Sequence, residues 1–196
     1  MTTFPHTGRE ANPRVLPLIV ERWSPRAFDG SEIPQADLDV IFEAAGWAPS
    51  AYNIQPWTFL YARRGDAKWE RFLDQLIPFN RNWAQNAGAL VFVVSNTMSK
   101  PGTESYTHSF DAGAAWAQLA LQAAALGHHS HGMIGVEFAT INQALGIPDD
   151  HRLEAAVAIG RRAPAEKLPE GLREREVPSG RKPVSEIAIA GNFPAS

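Results

Sequence analysis

The chain has 196 residues, a formal net charge of −3 at pH 7 and 44% hydrophobic residues, enough to bury one full core, so a single domain over residues 1–196 is expected. It has no cysteine, which excludes disulfides, thiolate metal sites and a cysteine nucleophile. A pI near 6.1 without a clustered basic stripe speaks against a nucleic-acid partner; with no long apolar run and no apolar leader, a soluble cytoplasmic protein with no membrane partner is expected.

Asn12-Pro13 reads as a cap and first-turn pair, with Val15, Leu16, Ile19 and Val20 on one face of a short helix. The residue before Pro25 is pushed out of the α region, so the chain leaves that helix through Arg22–Phe28. From Pro34, Leu38, Ile41, Phe42 and Ala45 recur at helical spacing, an amphipathic stripe ending at Gly46-Trp47. A polar loop follows, and then "WTFLYA", whose aromatic and β-branched residues read as a strand. Asp66 is placed to cap a third helix that buries Trp69, Phe72, Leu73 and Leu76. "ALVFVVSN" is apolar without helical alternation, hence a buried strand. Residues 99–107, with Pro101 and Gly102, read as a loop.

The longest helix is expected from Ser109 or Phe110 to Leu126, with Ala112, Trp116, Leu119, Ala123 and Leu126 on one stripe and Ala and Leu on its other faces. A helix so apolar all round is buried in the core or against a second subunit. "GHHSHGMIG" reads as a short strand and loop, and a helix from about Glu137 to Leu145 stops at Gly146 and Pro148. "LEAAVAIG" is another buried strand, Ala163 to Val177 a charged surface connection, and "SEIAIAGNF" an edge strand. Strands and helices alternate without a strict βαβ rhythm, which points to an α+β fold.

Two segments carry candidate chemistry. Arg22, Ser24 and Arg26 set two guanidinium forks around a hydroxyl, a set that suits a phosphate monoester, although surface arginines beside a Ser-Pro turn read the same way. In the loop 48–57, two prolines bracket Ser50, Asn53 and Gln55, which can hydrogen-bond the polar edge of a planar heterocycle or simply make a polar turn. His128, His129 and His131 fit neither a helical His pair nor a zinc pattern, so no metal site is expected. Arg161 and Arg162 read as solvated surface residues, and Trp23 as a core or interface anchor.

Taken together, "RWSPRAF", "APSAYNIQPW", "DAGAAWAQLALQAAALG" and "SGRKPVSE" resemble the FMN-dependent nitroreductase family over about Leu16 to Glu186. The resemblance implies an α+β fold around a mixed, mostly antiparallel sheet. It also implies an intertwined, obligate homodimer with FMN at the interface, and helix 110–126 as the main dimer contact.

By the same resemblance, Arg22, the adjoining Trp23 and Ser24 belong to the phosphate and ribityl end. Arg26 reaches the ribityl chain and pyrimidine edge, and Arg181 returns to the phosphate. Pro49, Ser50, Ala51, Asn53 and Gln55 come from the partner subunit. Asn80 bonds the isoalloxazine, while Met133, Ile134 and Gly135 lie along one flavin face. Trp83 and Ser179 stand where several members carry basic residues. The implied activity passes a hydride from NAD(P)H through flavin N5 to a small-molecule acceptor, a nitroaromatic, quinone or related compound, by ping-pong kinetics with no side-chain nucleophile. A specialised reductase with a non-nitro substrate and a flavin-storing protein are the alternatives. Nothing in the sequence chooses NADH over NADPH.

Overall fold

In a computed structural model that describes residues 7–193, the chain forms three layers around a four-stranded sheet. Helix α1 (Pro17–Glu21) begins with proline in its first turn, where a missing N–H costs nothing. It therefore starts later than the expected Asn12-Pro13 cap; Asn12 instead closes a turn, its Oδ1 accepting from the Arg14 N–H. Helix α2 (Gln35–Gly46) buries Leu38, Ile41 and Ala45, the stripe expected from the sequence.

Strand β1 (Trp57–Arg63) leads to α3 (Trp69–Leu73). Asp66 does not cap that helix: its carboxylate turns back to accept from the Arg63 N–H. Helix α4 (Pro78–Ala84) has no counterpart in the expected elements, and β2 (Ala89–Asn96) is buried along almost its whole length. The segment expected as a loop forms a small hairpin, β3 (Met98–Lys100) with β4 (Thr103–Glu104).

Helix α5 (His108–Ala125), strand β5 (His129–Met133), α6 (Ile141–Leu145) and β6 (His151–Gly160) follow. Helix α6 begins four residues after the expected Glu137, because 134–140 is held in turns, and ends at Gly146 in the left-handed conformation. The stretch after β6 is less of a surface connection than its charge implies. It contains α7 (Glu170–Arg173), and Leu168, Leu172 and Glu176 are buried. The tail forms α8 (Val184–Ile187), a short exposed helix, in place of the expected edge strand. Its apolar residues have no neighbouring strand to pair with among the described residues.

The sheet order is β1-β2-β6-β5, and all its pairings are antiparallel, in keeping with a mostly antiparallel sheet. Alternation along β2 sorts its side chains. Ala89, Val91 and Val93 face α2 and α5 with Leu119 and Ala123, while Leu90, Phe92 and Val94 face the other layer with Phe72, Trp83 and Leu172. Burial on both faces explains the unbroken apolar run of β2.

A bulge in β6 lies opposite Val93 and Val94 and turns Glu154 toward the start of α5. There its Oε1 accepts from Ser95 Oγ at 2.6 Å and Ser109 Oγ at 2.8 Å. Burial pushes the Glu154 carboxyl up, but Arg152 and then these two hydroxyl bonds together hold it below its usual pKa. The acid thus ties the first turn of α5 to the sheet, next to Ala155, which lines the larger cavity described below.

Candidate functional site

Two connected compartments share a wall made of Arg22, Ser24 and Arg181. The larger, about 750 Å³, is floored by Trp116, Ala120 and Leu121 of α5 with Met133 and Ile134 at the end of β5. That volume is within the usual range for small-molecule sites, about 300–1,000 Å³. The smaller, about 250 Å³, is lined by five arginines, Arg9, Arg22, Arg26, Arg175 and Arg181. No carboxylate lines either compartment among the described residues.

Local structure explains why the arginines converge. Segment 22–28 leaves α1 extended and runs beside the end of β6, with Asp29 N bonded to Arg161 O and Ala163 N to Ala27 O. Trp23 pins it, only 5% exposed, with the Arg162 guanidinium 5.2 Å above its ring and His129 at its edge. Alternate residues then point outward, and Arg22 Nη1 lies 3.3 Å from Ser24 Oγ. Arg26 lines the smaller compartment beside Arg175 and His131 rather than the larger one. Arg181 curls over Ser179 and donates to its Oγ at 3.1 Å, so the serine at that position orients the arginine.

Burial and then Arg181 and Arg9 lower the pKa of Arg22; burial and then Arg175 lower that of Arg26. Arginine stays charged in proteins, so these shifts register burial first and then an unfavourable field of like charge, rather than neutral guanidines. Such a field is relieved by an anion. His131 sits in it as a neutral ring, pushed down to about 4 by burial and then by Arg26. Its Nδ1 lies 3.0 Å from the Pro25 carbonyl, which can only accept, so Nδ1 carries the proton.

The other expected site residues fall into two groups. Met133 is buried and Ile134 is 63% exposed at the larger compartment. Gly135 lies one residue on and holds the turn: its carbonyl accepts from Ile77 N at 3.3 Å and Asn80 Nδ2 at 3.0 Å. A Cβ there would stand 2.5 Å from that Asn80 nitrogen and 2.7 Å from Ile77 Cδ1, so any larger residue would have to push these two side chains aside. Asn80 gives one N–H to the Gly135 carbonyl and lines neither compartment. Trp83 is core, 1% exposed, with its ring 6.2 Å from Phe28 and 4.8 Å from His131.

Loop residues Pro49, Ser50, Ala51, Asn53 and Gln55 line neither compartment. The loop is nonetheless built: buried Asp111 of α5 accepts from the Ala51 N–H at 3.2 Å, and Ser50 Oγ accepts from the Gln55 N–H at 3.0 Å. Tyr52, Asn53 and Gln55 all have positive φ, 51°, 56° and 53°, and Tyr52 is fully exposed.

Sequence reasoning missed Arg9 and Arg175. Both sit in charged stretches with no periodicity, and only the fold brings them to Arg22 and Arg26. The three neighbouring histidines go separate ways. His128 Nε2 lies 2.7 Å from Asp37 Oδ2, His129 packs on Trp23, and His131 faces the arginines. Among the described residues no group of three or more His, Cys, Asp or Glu could hold a metal ion, and no helix is long and apolar enough to cross a membrane.

Comparison with known proteins extends this picture. The model of the Nitroreductase family matches residues 19–86 and 77–161. A solved oxidoreductase containing FMN is 47% identical and superposes with a TM-score of 0.93, each chain covered in full. A nitroreductase structure in complex with FMN from Desulfovibrio desulfuricans is 26% identical with a TM-score of 0.74, covering 94% of this chain and 100% of that one. A protein of Archaeoglobus fulgidus named as an NADH dehydrogenase/NAD(P)H nitroreductase is 28% identical over 150 residues, 74% of this chain and 83% of its own length.

Proposed function

The chain belongs to the nitroreductase family, and from that premise we propose that it is an FMN-dependent NAD(P)H oxidoreductase acting as a homodimer. The observation that carries the reading is the shared wall of Arg22, Ser24 and Arg181: a carboxylate-free cluster of cations opening onto an apolar cavity. This donor set fits a phosphomonoester joined to a flat heterocycle. Guanidinium forks suit the phosphate oxygens, and Trp116, Met133 and Ile134 offer an apolar bed for a ring.

When bound, FMN supplies the redox chemistry, hydride transfer from NAD(P)H by way of N5 to a nitroaromatic, quinone or related acceptor. The protein's own share is to bind and orient. Arg22 and Arg181 hold the phosphate, Ser24 adds a neutral hydrogen bond, and Arg26 adds charge in the adjoining compartment. Asn80 and Gly135 fix the backbone turn after Met133, next to the cavity that Met133 and Ile134 line. Neutral His131, with Nδ1–H engaged by Pro25, keeps Nε2 as an acceptor among the arginines.

The homodimer is supported by what one chain leaves unfinished. The strained loop carrying Asn53 and Gln55 lines neither compartment described above, and Ala117 of α5 with Phe110 stays exposed. In the dimer, that loop completes the partner's site. The reading also carries the expectation of a cytoplasmic setting, where NAD(P)H is at hand.

The test is titration of FMN and riboflavin against wild type, Arg22→Ala and Arg181→Ala. Each charge-assisted contact to the phosphate contributes about 1.5–3 kcal/mol, so FMN affinity should fall roughly ten- to a hundred-fold. Riboflavin, without the phosphate, should change far less. Equal losses for both ligands would mean that these arginines hold the fold, and the reading would go with them. Loaded protein that stays yellow with NAD(P)H under anaerobic conditions would instead be a flavin carrier.

A further inference from the structure

Arg9 lies ahead of the segment that matches the family, which begins at residue 19. It lines the arginine compartment with Arg22 and Arg181. Its Nη1 donates to the carbonyls of Val20 and Arg22, both at 2.9 Å, across the last turn of α1 and the residue that follows. These carbonyls belong to a helix end that has no further turn to satisfy them. The guanidinium therefore fixes the backbone from which the Arg22 side chain departs. A second tie holds the same segment, Thr7 N to Glu21 Oε2 at 2.6 Å.

Arg9 also belongs to the electrostatic field of the pocket. Arg181 is the charge that most lowers its pKa after burial, with Glu21 opposing, and Arg9 in turn lowers that of Arg22. Two Nη1 hydrogens are committed to carbonyls, yet the buried Nε of Arg9 has no hydrogen-bond partner among the described residues. A buried donor is seldom left unpaired without a reason. Here it accompanies an excess of positive charge on a compartment with no acid in its wall among the described residues.

Resting on the FMN reading above, we propose that Arg9 is part of the cofactor-phosphate site. It positions Arg22 through the two carbonyls and adds a third guanidinium to the field of Arg22 and Arg181, so the segment before α1 and the phosphate hold one another in place. Loading the cofactor then steadies residues 7–16, and losing Arg9 selectively weakens ligands that carry the phosphate.

Competition between FMN and riboflavin on the loaded protein measures this selectivity directly. It is compared in wild type, Arg9→Ala, Arg9→Lys and Arg14→Ala, where Arg14 is exposed and lines neither compartment. Arg9→Ala should lower the FMN-to-riboflavin preference about ten-fold. Arg9→Lys, which keeps the charge without the fork, should fall between, and Arg14→Ala should match wild type. Trypsin cleavage at Arg14 should be slowed by FMN in wild type but not in Arg9→Ala. An Arg9→Ala preference equal to that of Arg14→Ala overturns the inference, and so does an equal loss of both flavins, which would make Arg9 a structural clamp only. If Arg22→Ala still loses FMN selectively in either case, the cofactor reading stands and only the role of Arg9 fails. If Arg22→Ala keeps full FMN selectivity, the cofactor reading itself has failed.

Discussion

Around Arg22, one chain brings together guanidinium groups from three distant stretches and fixes them by backbone carbonyls, a buried acid and an aromatic ring. Around Asn53, the same chain holds a loop in a costly backbone conformation and leaves its polar side chains facing outward. Both regions are held by specific bonds, but of the two only the first lines the compartments described above. The difference teaches that order alone does not make a site. The arginine wall faces a cavity within one chain, whereas on the homodimer reading proposed above the loop is preorganised for the partner's site. A functional cavity shared between copies predicts this asymmetry, and the two sides should break differently.

The arginine side breaks most deeply at Glu176. Its carboxylate, 4% exposed, accepts from the Arg26 N–H at 2.9 and 3.0 Å and from the Ala27 N–H at 2.9 Å. Glu176→Ala would leave the buried Ala27 N–H and the partly buried Arg26 N–H unpaired, a loss of about 2–5 kcal/mol of folding stability. Glu176→Gln, which keeps an acceptor oxygen, should lose less. Denaturant unfolding of both variants measures this, and a Glu176→Ala midpoint equal to wild type would mean that the wall is not held from the C-terminal segment.

Acid should reach the same side next. His129 and His131 are both held down to about 4, by burial first and then by Arg162 and Arg26 respectively. In the unfolded chain an imidazole titrates near 6.5. Between about 6.5 and 4 the unfolded state therefore binds more protons, so stability present above pH 6.5 is lost as the pH falls toward 4 and levels off below it. The upper bound is about 3 kcal/mol for each ring. His131→Gln, whose amide can still donate to Pro25, should flatten this slope in stability curves taken from pH 7 to 4. An unchanged slope would place the acid sensitivity elsewhere.

The contrast between the regions also marks what the sequence could reveal. Strands β2 and β6 and helices α2 and α5 were legible because burial imposes a period or an unbroken apolar run. Segment 22–28 and loop 48–57 were legible as motifs, since phosphate and amide chemistry need particular residue types close together. Arg9, Arg175 and Glu176 were not, because their partners lie elsewhere in the chain and a charged stretch looks the same whether solvated or turned inward. The same limit hid Asn80's bond to Gly135, and it let the alternation of 185–193 pass for a strand where no neighbouring strand exists among the described residues to pair with it.

The loop side gives the smallest effect and the cleanest separation of fold from function. Gln55 sits at φ 53°, where a side chain with a Cβ is disfavoured by about 1 kcal/mol and glycine is not. Its side chain is exposed and, among the described residues, donates only to the Asn53 carbonyl, at 3.2 Å. Gln55→Gly and Gln55→Ala remove that side chain equally but differ in backbone strain. If the loop serves a partner's cofactor, both should lose FMN retention alike, by roughly 1–3 kcal/mol for a bond to a buried polar ring atom. Their stabilities should differ, with the glycine variant ahead by up to about 1 kcal/mol, less the entropy it regains in the unfolded chain. Flavin retention and thermal unfolding on the two variants read the two effects separately. Retention that follows stability across the pair, instead of falling equally in both, would show that the loop acts only through the fold and that the arginine wall holds the cofactor without it.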